Sequence, residues 1–264
     1  MIILKGEEIM KKLFAVALFL LLCVSQASAA SDVKVWGARF DLNIIDNFYD
    51  NLVGHNSDVI SDITLPNALA GTKLLWSVQP ANTYTASELT AMSAFLSGGG
   101  RIAFMGEHGF YAPAEDNRIT AAIASLGGHI SINLDAPDGG FHDATRVNGQ
   151  ILTHSLTTGV DTYNYACFAS LNISGAAQAL MVGTDHSQIM MAYENVGAGS
   201  IFLITDQNVW DNVSQVGSND NHRMFENLLE GNTNNNNAVP EPATVVLLGL
   251  GLGLVGFTVK RKRM

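Results

Sequence analysis

The chain has 264 residues, with 14 basic against 24 acidic side chains, a net charge of −10 and a 47% hydrophobic content. That length allows at least one well-packed core, and the acidic balance repels phosphate backbones, which excludes nucleic acid as a partner. Cys23 and Cys167 are the only cysteines, too few for a disulfide framework.

The start follows the pattern of a secretory signal. Met10-Lys11-Lys12 is basic, residues 13–24 are apolar, and Ala27-Ser28-Ala29 is a small-x-small cleavage site. The expectation is a signal peptide over 1–29, a secretion translocon as partner, a mature chain from Ala30, and Met10 as an alternative initiator to Met1. Leu22 is too large to precede a lipoprotein cysteine at Cys23. Residues 30–230 then carry seven basic and 21 acidic side chains, and Cys167 is the one cysteine among them. Export without an intramolecular disulfide leaves the core to hold this body together.

The body alternates strand and helix signals. Residues 33–36 read as a strand; residues 41–52 place Leu42, Ile45, Phe48, Tyr49 and Leu52 at helical spacing; residues 73–78 are a second strand. Thr85-Ala86-Ser87-Glu88 is a capping box opening a helix to Leu96, and Gly98-Gly99-Gly100 stops it before the apolar strand 101–105. A second such unit follows, with a helix over 116–126, Gly127-Gly128 as the stop and a strand over 129–134. Helix, glycine stop and buried strand are the crossover of a parallel sheet. Residues 166–173, 179–182, 188–194 and 200–205 read as strands with little helix between them, Gly197-Ala198-Gly199 as a hairpin turn, and 221–229 as a last helix. The expected fold is a flavodoxin-like three-layer α/β sandwich, mostly parallel with added antiparallel strands, as one domain over 30–230.

In open α/β sheets, ligands sit beyond the carboxyl ends of the strands. Glu107 and His108 follow the strand 101–105, Asp206 follows 200–205, and the glycine-rich loop Gly139-Gly140-Phe141 brings His142 and Asp143 toward the same rim. These residue types hold divalent cations or transfer protons, and they equally cap helices and solvate loops. Asp206, Asn208, Asp211, Asn212, Ser214, Asn219 and Asp220 form an oxygen-rich loop of the kind calcium prefers, without EF-hand spacing; helix capping by Asn219 or Asp220 accounts for it as well. The catalytic candidates are therefore Glu107, His108 and Asp206. The cation candidates are His142, Asp143, Asp211 and Asp220, for a divalent cation. Trp36 and Trp76 read as core, and Trp210 as a surface aromatic in a polar loop.

The segments LSGGGRIAFMGEHG (96–109), NRITAAIASLG (117–127), THSLTTGV (153–160), GAGSIFLITDQN (197–208) and NDNHRMFENLLEG (219–231) resemble the class I glutamine amidotransferase-like superfamily. The resemblance implies a nucleophilic Cys on an elbow after a strand. The matching stretch here, Met105-Gly106-Glu107-His108-Gly109-Phe110, has neither Cys nor Ser, so acyl transfer lacks its nucleophile. Cys167 is expected inside a strand as a small buried hydrophobe.

Residues 231–238 are Asn-rich and read as a linker. Pro240-Glu241-Pro242 then leads into 17 uncharged residues, 243–259, and into Lys260, Arg261, Lys262 and Arg263. As a helix the apolar run spans ~26 Å, at the short end for a membrane, and its basic flank places the C-terminus in the cytoplasm. Triplet, apolar span and basic end over 239–264 resemble the PEP-CTERM sorting tail of exopolysaccharide-producing bacteria. That resemblance implies processing by exosortase, anchorage in the inner membrane facing the periplasm beforehand, and a cell-surface or extracellular location afterwards. It also implies exopolysaccharide as a partner. Two functions follow: a non-catalytic binding or structural domain of the extracellular matrix, or a metal-dependent hydrolase acting on an extracellular substrate such as polysaccharide.

Overall fold

A computed structural model describes residues 31–211 and 219–230. The expected signal peptide, linker and membrane span, the sorting tail, Asn212, Ser214 and the side chain of Asp211 lie outside the described residues. No helix among the described residues is long and apolar enough to cross a membrane.

The architecture is mixed α/β, built on a nine-stranded sheet with strand order β2-β1-β3-β4-β11-β10-β8-β5 and β9 beside β10. Its parallel part comprises β1 (Val33–Gly37), β2 (Ser57–Val59), β3 (Leu74–Val78), β4 (Arg101–Met105) and β11 (Gly199–Ile204). The antiparallel part comprises β5 (Ile130–Ile132), β8 (Leu171–Ile173), β9 (Gln178–Val182) and β10 (Ile189–Val196). The hairpin of β6 (His142–Thr145) and β7 (Thr162–Tyr165) stands apart. β3 and β11 are buried along their whole length, as strands covered on both faces must be.

Alternation along β4 shows the two faces. Ala103 and Met105 point into one cluster with α1 (Leu42–Asp50), α4 (Asn208–Asp211) and α5 (Asn221–Glu230). Ile102 and Phe104 point into the other, with α2 (Ala86–Ser97) and α3 (Pro113–Ser125). The capping box is formed as the sequence implies: the Thr85 side chain accepts from the Glu88 amide, and Glu88 Oε2 accepts from the Thr85 amide at 2.6 Å. The turn 197–199 also forms, with Gly197 at φ 62° joining β10 to β11.

Four expectations are corrected. The strand after α3 does not extend the parallel sheet, because β11 already occupies the free edge of β4 in register Arg101 to Ser200; β5 instead pairs antiparallel with β8 at the far edge. Of the strand expected over 166–173, only Leu171–Ile173 forms, so Cys167 lies half-buried in a bend and not inside a strand. Trp210 is not a surface aromatic: it is 1% exposed, stacked on Phe225 at 4.0 Å and set edge-on to Trp76 at 5.5 Å. The polar residues around it hid a helical turn whose Val209 and Trp210 complete the first cluster. Trp36, expected in the core, packs against the margin of the second cluster, half-buried beside Tyr84 at 5.7 Å.

Candidate functional site at the carboxyl ends of the sheet

Three parallel strands, β3, β4 and β11, end side by side on polar residues, which the sheet register brings together. Gln79 follows β3, Glu107 follows β4, and Asp206 and Gln207 follow β11. Gln79 Nε2 donates to Gln207 Oε1 at 2.7 Å, and the Gln207 amide donates to Glu107 Oε2 at 3.0 Å. Glu107 Oε1 accepts from the His108 amide at 2.9 Å. The Glu107 amide donates in turn to Asp116 Oδ1, in the first turn of α3, at 3.1 Å. Asp206 accepts from the amides of Ala166 at 2.6 Å and Asn208 at 2.8 Å. One hydrogen-bonded band thus ties three strand ends to a helix and to the loop that carries Cys167.

The backbone of the band is tightly specified. A side chain at Gly106 would collide with Asp116 Oδ1, and one at Gly109 would strike the backbone of Leu134. The left-handed, strained position lies one strand away from the expected elbow, at Gln79, with φ 36° directly before Pro80. Gln79 is fully buried, and its Oε1 has no hydrogen-bond partner among the described residues; the same holds for Asp116 Oδ2 and His108 Nδ1.

Burial dominates the electrostatics. Glu107, 1% exposed, is pushed up to about 8 by loss of solvation first, and then by the charges of Asp206 and Asp116. Asp116 rises to about 7 by burial and by neighbouring Glu115. Burial also lowers His108, which favours the neutral ring. The Cys167 thiol is raised by burial and then by Glu107, Asp206, Asp138 and Asp135, so it stays protonated at neutral pH. Carboxyls that titrate near neutrality suit proton transfer. Here, however, both Glu107 oxygens and both Asp206 oxygens already accept backbone amides, and the neighbouring thiol is held in its unreactive form.

Of the residues singled out from sequence, Glu107 and Asp206 come together and His108 flanks them with its ring 6.0 Å from Tyr111. His142 and Asp143 do not join the band. They belong to β6, where His142 Nε2 bonds the Gly139 carbonyl oxygen and Asp143 Oδ1 accepts from Asn164 and Asn219. The Asp220 carboxylate accepts from the amides of Asp161 and Thr162 at 2.8 and 2.9 Å, fastening α5 to β7. Among the described residues, no three His, Cys, Asp or Glu side chains are grouped to hold a metal ion. Sequence reasoning missed Gln79, Asp116 and Gln207. Gln79 and Gln207 carried a readable signal, since Gln79 directly follows the buried strand β3 and Gln207 comes three residues after the end of β11, whereas Asp116 in a helix start carried none.

The fold is shared with several solved structures. The "mmIFT52 N-terminal domain" superposes with a TM-score of 0.58 at 17% identity, over 75% of this chain and 96% of that one. "Cytoplasmic Protein STM3548 from Salmonella typhimurium" gives 0.56 at 9% identity, over 75% and 98%. The exo-β-1,4-mannosidase Op5Man5 from Opitutaceae bacterium strain TAV5 gives 0.51 at 12% identity, over 80% of this chain and 38% of that one. Identities this low establish a common fold of the mixed α/β class and nothing about chemistry. The amidotransferase resemblance gains no support from them. No curated protein sequence matches the chain. Residues 238–263 match the PEP-CTERM protein-sorting motif, which marks an exported protein handled by exosortase.

Proposed function

We propose that the chain is an exported cell-surface or matrix protein whose body, residues 30–230, is a non-catalytic binding or structural domain linked to exopolysaccharide. On this reading residues 1–29 are the secretory signal, 231–238 hold the cleavage site clear of the body, and 239–264 anchor the precursor in the inner membrane until exosortase acts. One observation carries the non-catalytic part: the strand-end carboxylates Glu107 and Asp206 are spent on backbone amides of His108, of Gln207 and Asn208 after β11, and of Ala166 in the Cys167 loop. They brace the sheet where an enzyme of this architecture would present reactive groups. The amidotransferase elbow has no nucleophile, and the nearby thiol is held protonated.

The test is cell fractionation in a host with and without exosortase. With the enzyme present, the wild-type chain should leave the inner membrane for the surface or medium. Pro240→Ala combined with Glu241→Ala and Pro242→Ala should keep it membrane-bound. Release of the triple variant at the wild-type rate would overturn the sorting role of the triplet.

A further inference from the structure

Chain topology opens a crevice next to the carboxylate band. From β1 the chain passes into α1 on one face of the sheet, and from β3 it passes into α2 on the other. β1 and β3 are neighbours in register Val33 to Leu74, so their outgoing segments diverge and leave a gap between the strand ends. The gap is a cleft of about 260 Å³ whose lining includes Trp36, Asn82, Thr83, Tyr84 and Glu88. Small-ligand clefts begin at ~300 Å³, so this one takes a single ring and is too small for a dinucleotide.

Its lining selects the chemistry. The Trp36 indole is half-buried and braced by Tyr84, whose hydroxyl is fixed by Ser77 at 2.7 Å. A rigid indole offers a flat apolar face with an N–H at its edge, suited to the C–H face of a pyranose. Asn82 and Thr83 are exposed amide and hydroxyl groups that both donate and accept, as sugar hydroxyls require. The lining contains no Lys, Arg or His, and Glu88 repels anions, so phosphates and uronates are disfavoured. The two arginines nearby are committed elsewhere: Arg39 pairs with Glu115 at 2.8 Å and Arg118 pairs with the same carboxylate at 3.3 Å while donating to the Pro80 carbonyl oxygen. Arg39 also lies over the Tyr111 ring at 5.5 Å.

We propose that the cleft between the carboxyl ends of β1 and β3 binds a pyranose unit of a neutral polysaccharide, stacked on Trp36. This rests on the binding reading of the domain. The test uses the full-length chain in detergent, titrated by calorimetry and tryptophan fluorescence with cellohexaose, laminarihexaose, mannohexaose and a galactohexaose, against polygalacturonate and heparin. At least one neutral hexaose should bind, and Trp36→Ala should weaken it ten-fold or more. Because Trp36→Ala could disturb folding, Asn82→Arg provides a second variant that fills the cleft from an exposed position; it should also weaken binding ten-fold with an unchanged melting temperature. Binding of no neutral member, or preference for the polyanions, overturns the proposal. Binding that survives both variants overturns the cleft while leaving the domain a glycan binder. Release of reducing ends from a bound hexaose overturns the non-catalytic reading and leaves the cleft in place if Trp36→Ala abolishes it.

Discussion

Glu107→Gln should reverse sign with pH. Glu107 has a folded value of about 8 against an ordinary 4.5, so the folded protein favours its protonated form. Stability from this group is fully present below 4.5, where both states are protonated, and is lost as pH rises through 8. At about 1.4 kcal/mol per pH unit, the loss is on the order of 5 kcal/mol at most, since rearrangement that admits water to the carboxylate caps it. Glutamine keeps the shape and removes the titration, but turns an N–H₂ toward one of two backbone donors, His108 N or Gln207 N. One lost bond costs about 1 kcal/mol. Urea melts at half-unit steps from pH 5 to 8.5 should therefore find the two nearly equal at pH 5, where the wild type has already given up most of that ~1 kcal/mol, and the variant a few kcal/mol stronger at pH 8.5, the sign reversing close to pH 5. Asp116, raised to about 7, gives both proteins a further decline over the lower part of this range. Asp138 and Asp220 are held below the usual carboxylate range and act at more acidic pH, outside the window. Parallel curves for variant and wild type, or a wild type that gains stability toward pH 8, would refute the reasoning.

Trp210→Ala removes a fully buried indole stacked on Phe225 and should cost about 3–5 kcal/mol. Thermal melting followed by circular dichroism should drop by roughly 6–20 °C at ~2–4 °C per kcal/mol; a loss under ~1 kcal/mol would place the ring at the surface after all. Gly106→Ala pushes a methyl group into Asp116 Oδ1 and should destabilise by about 1–3 kcal/mol in urea, with neutral stability contradicting the close approach.

Local signals were legible where they were short-range and self-contained. The capping box at Thr85 and Glu88, the glycine stop before β4 and the hairpin at Gly197 all depend on residues a few positions apart, and each forms as read. What depends on pairing across a hundred residues was not legible. Nothing in residues 129–134 says that the edge of β4 is already taken by β11, so β5 looked like the next parallel strand. Trp210 sits among Asp, Asn and Gln in sequence, and only the packing of α4 against Phe225 turns it inward. In the polar band, Glu107 and Asp206 were found because the carboxyl ends of strands are where polar groups meet. Their use as braces was hidden, because their partners are backbone amides, which sequence does not distinguish.

The position of β11 also governs when the body can take shape. Gly199–Ile204 lies in the middle of the sheet, yet it is the last strand to leave the ribosome and bonds to residues made about a hundred positions earlier. Until it arrives, β1, β2, β3 and β4 end at a bare, apolar edge at β4, open to pairing with any other strand. Closure of so long a loop is slow, and α5, which supplies Phe225 and Leu228 to the core, must follow. A nascent chain of this design stays unfinished for most of its synthesis, a state suited to threading through a narrow passage. The native sheet closes only after nearly all of the body has been made.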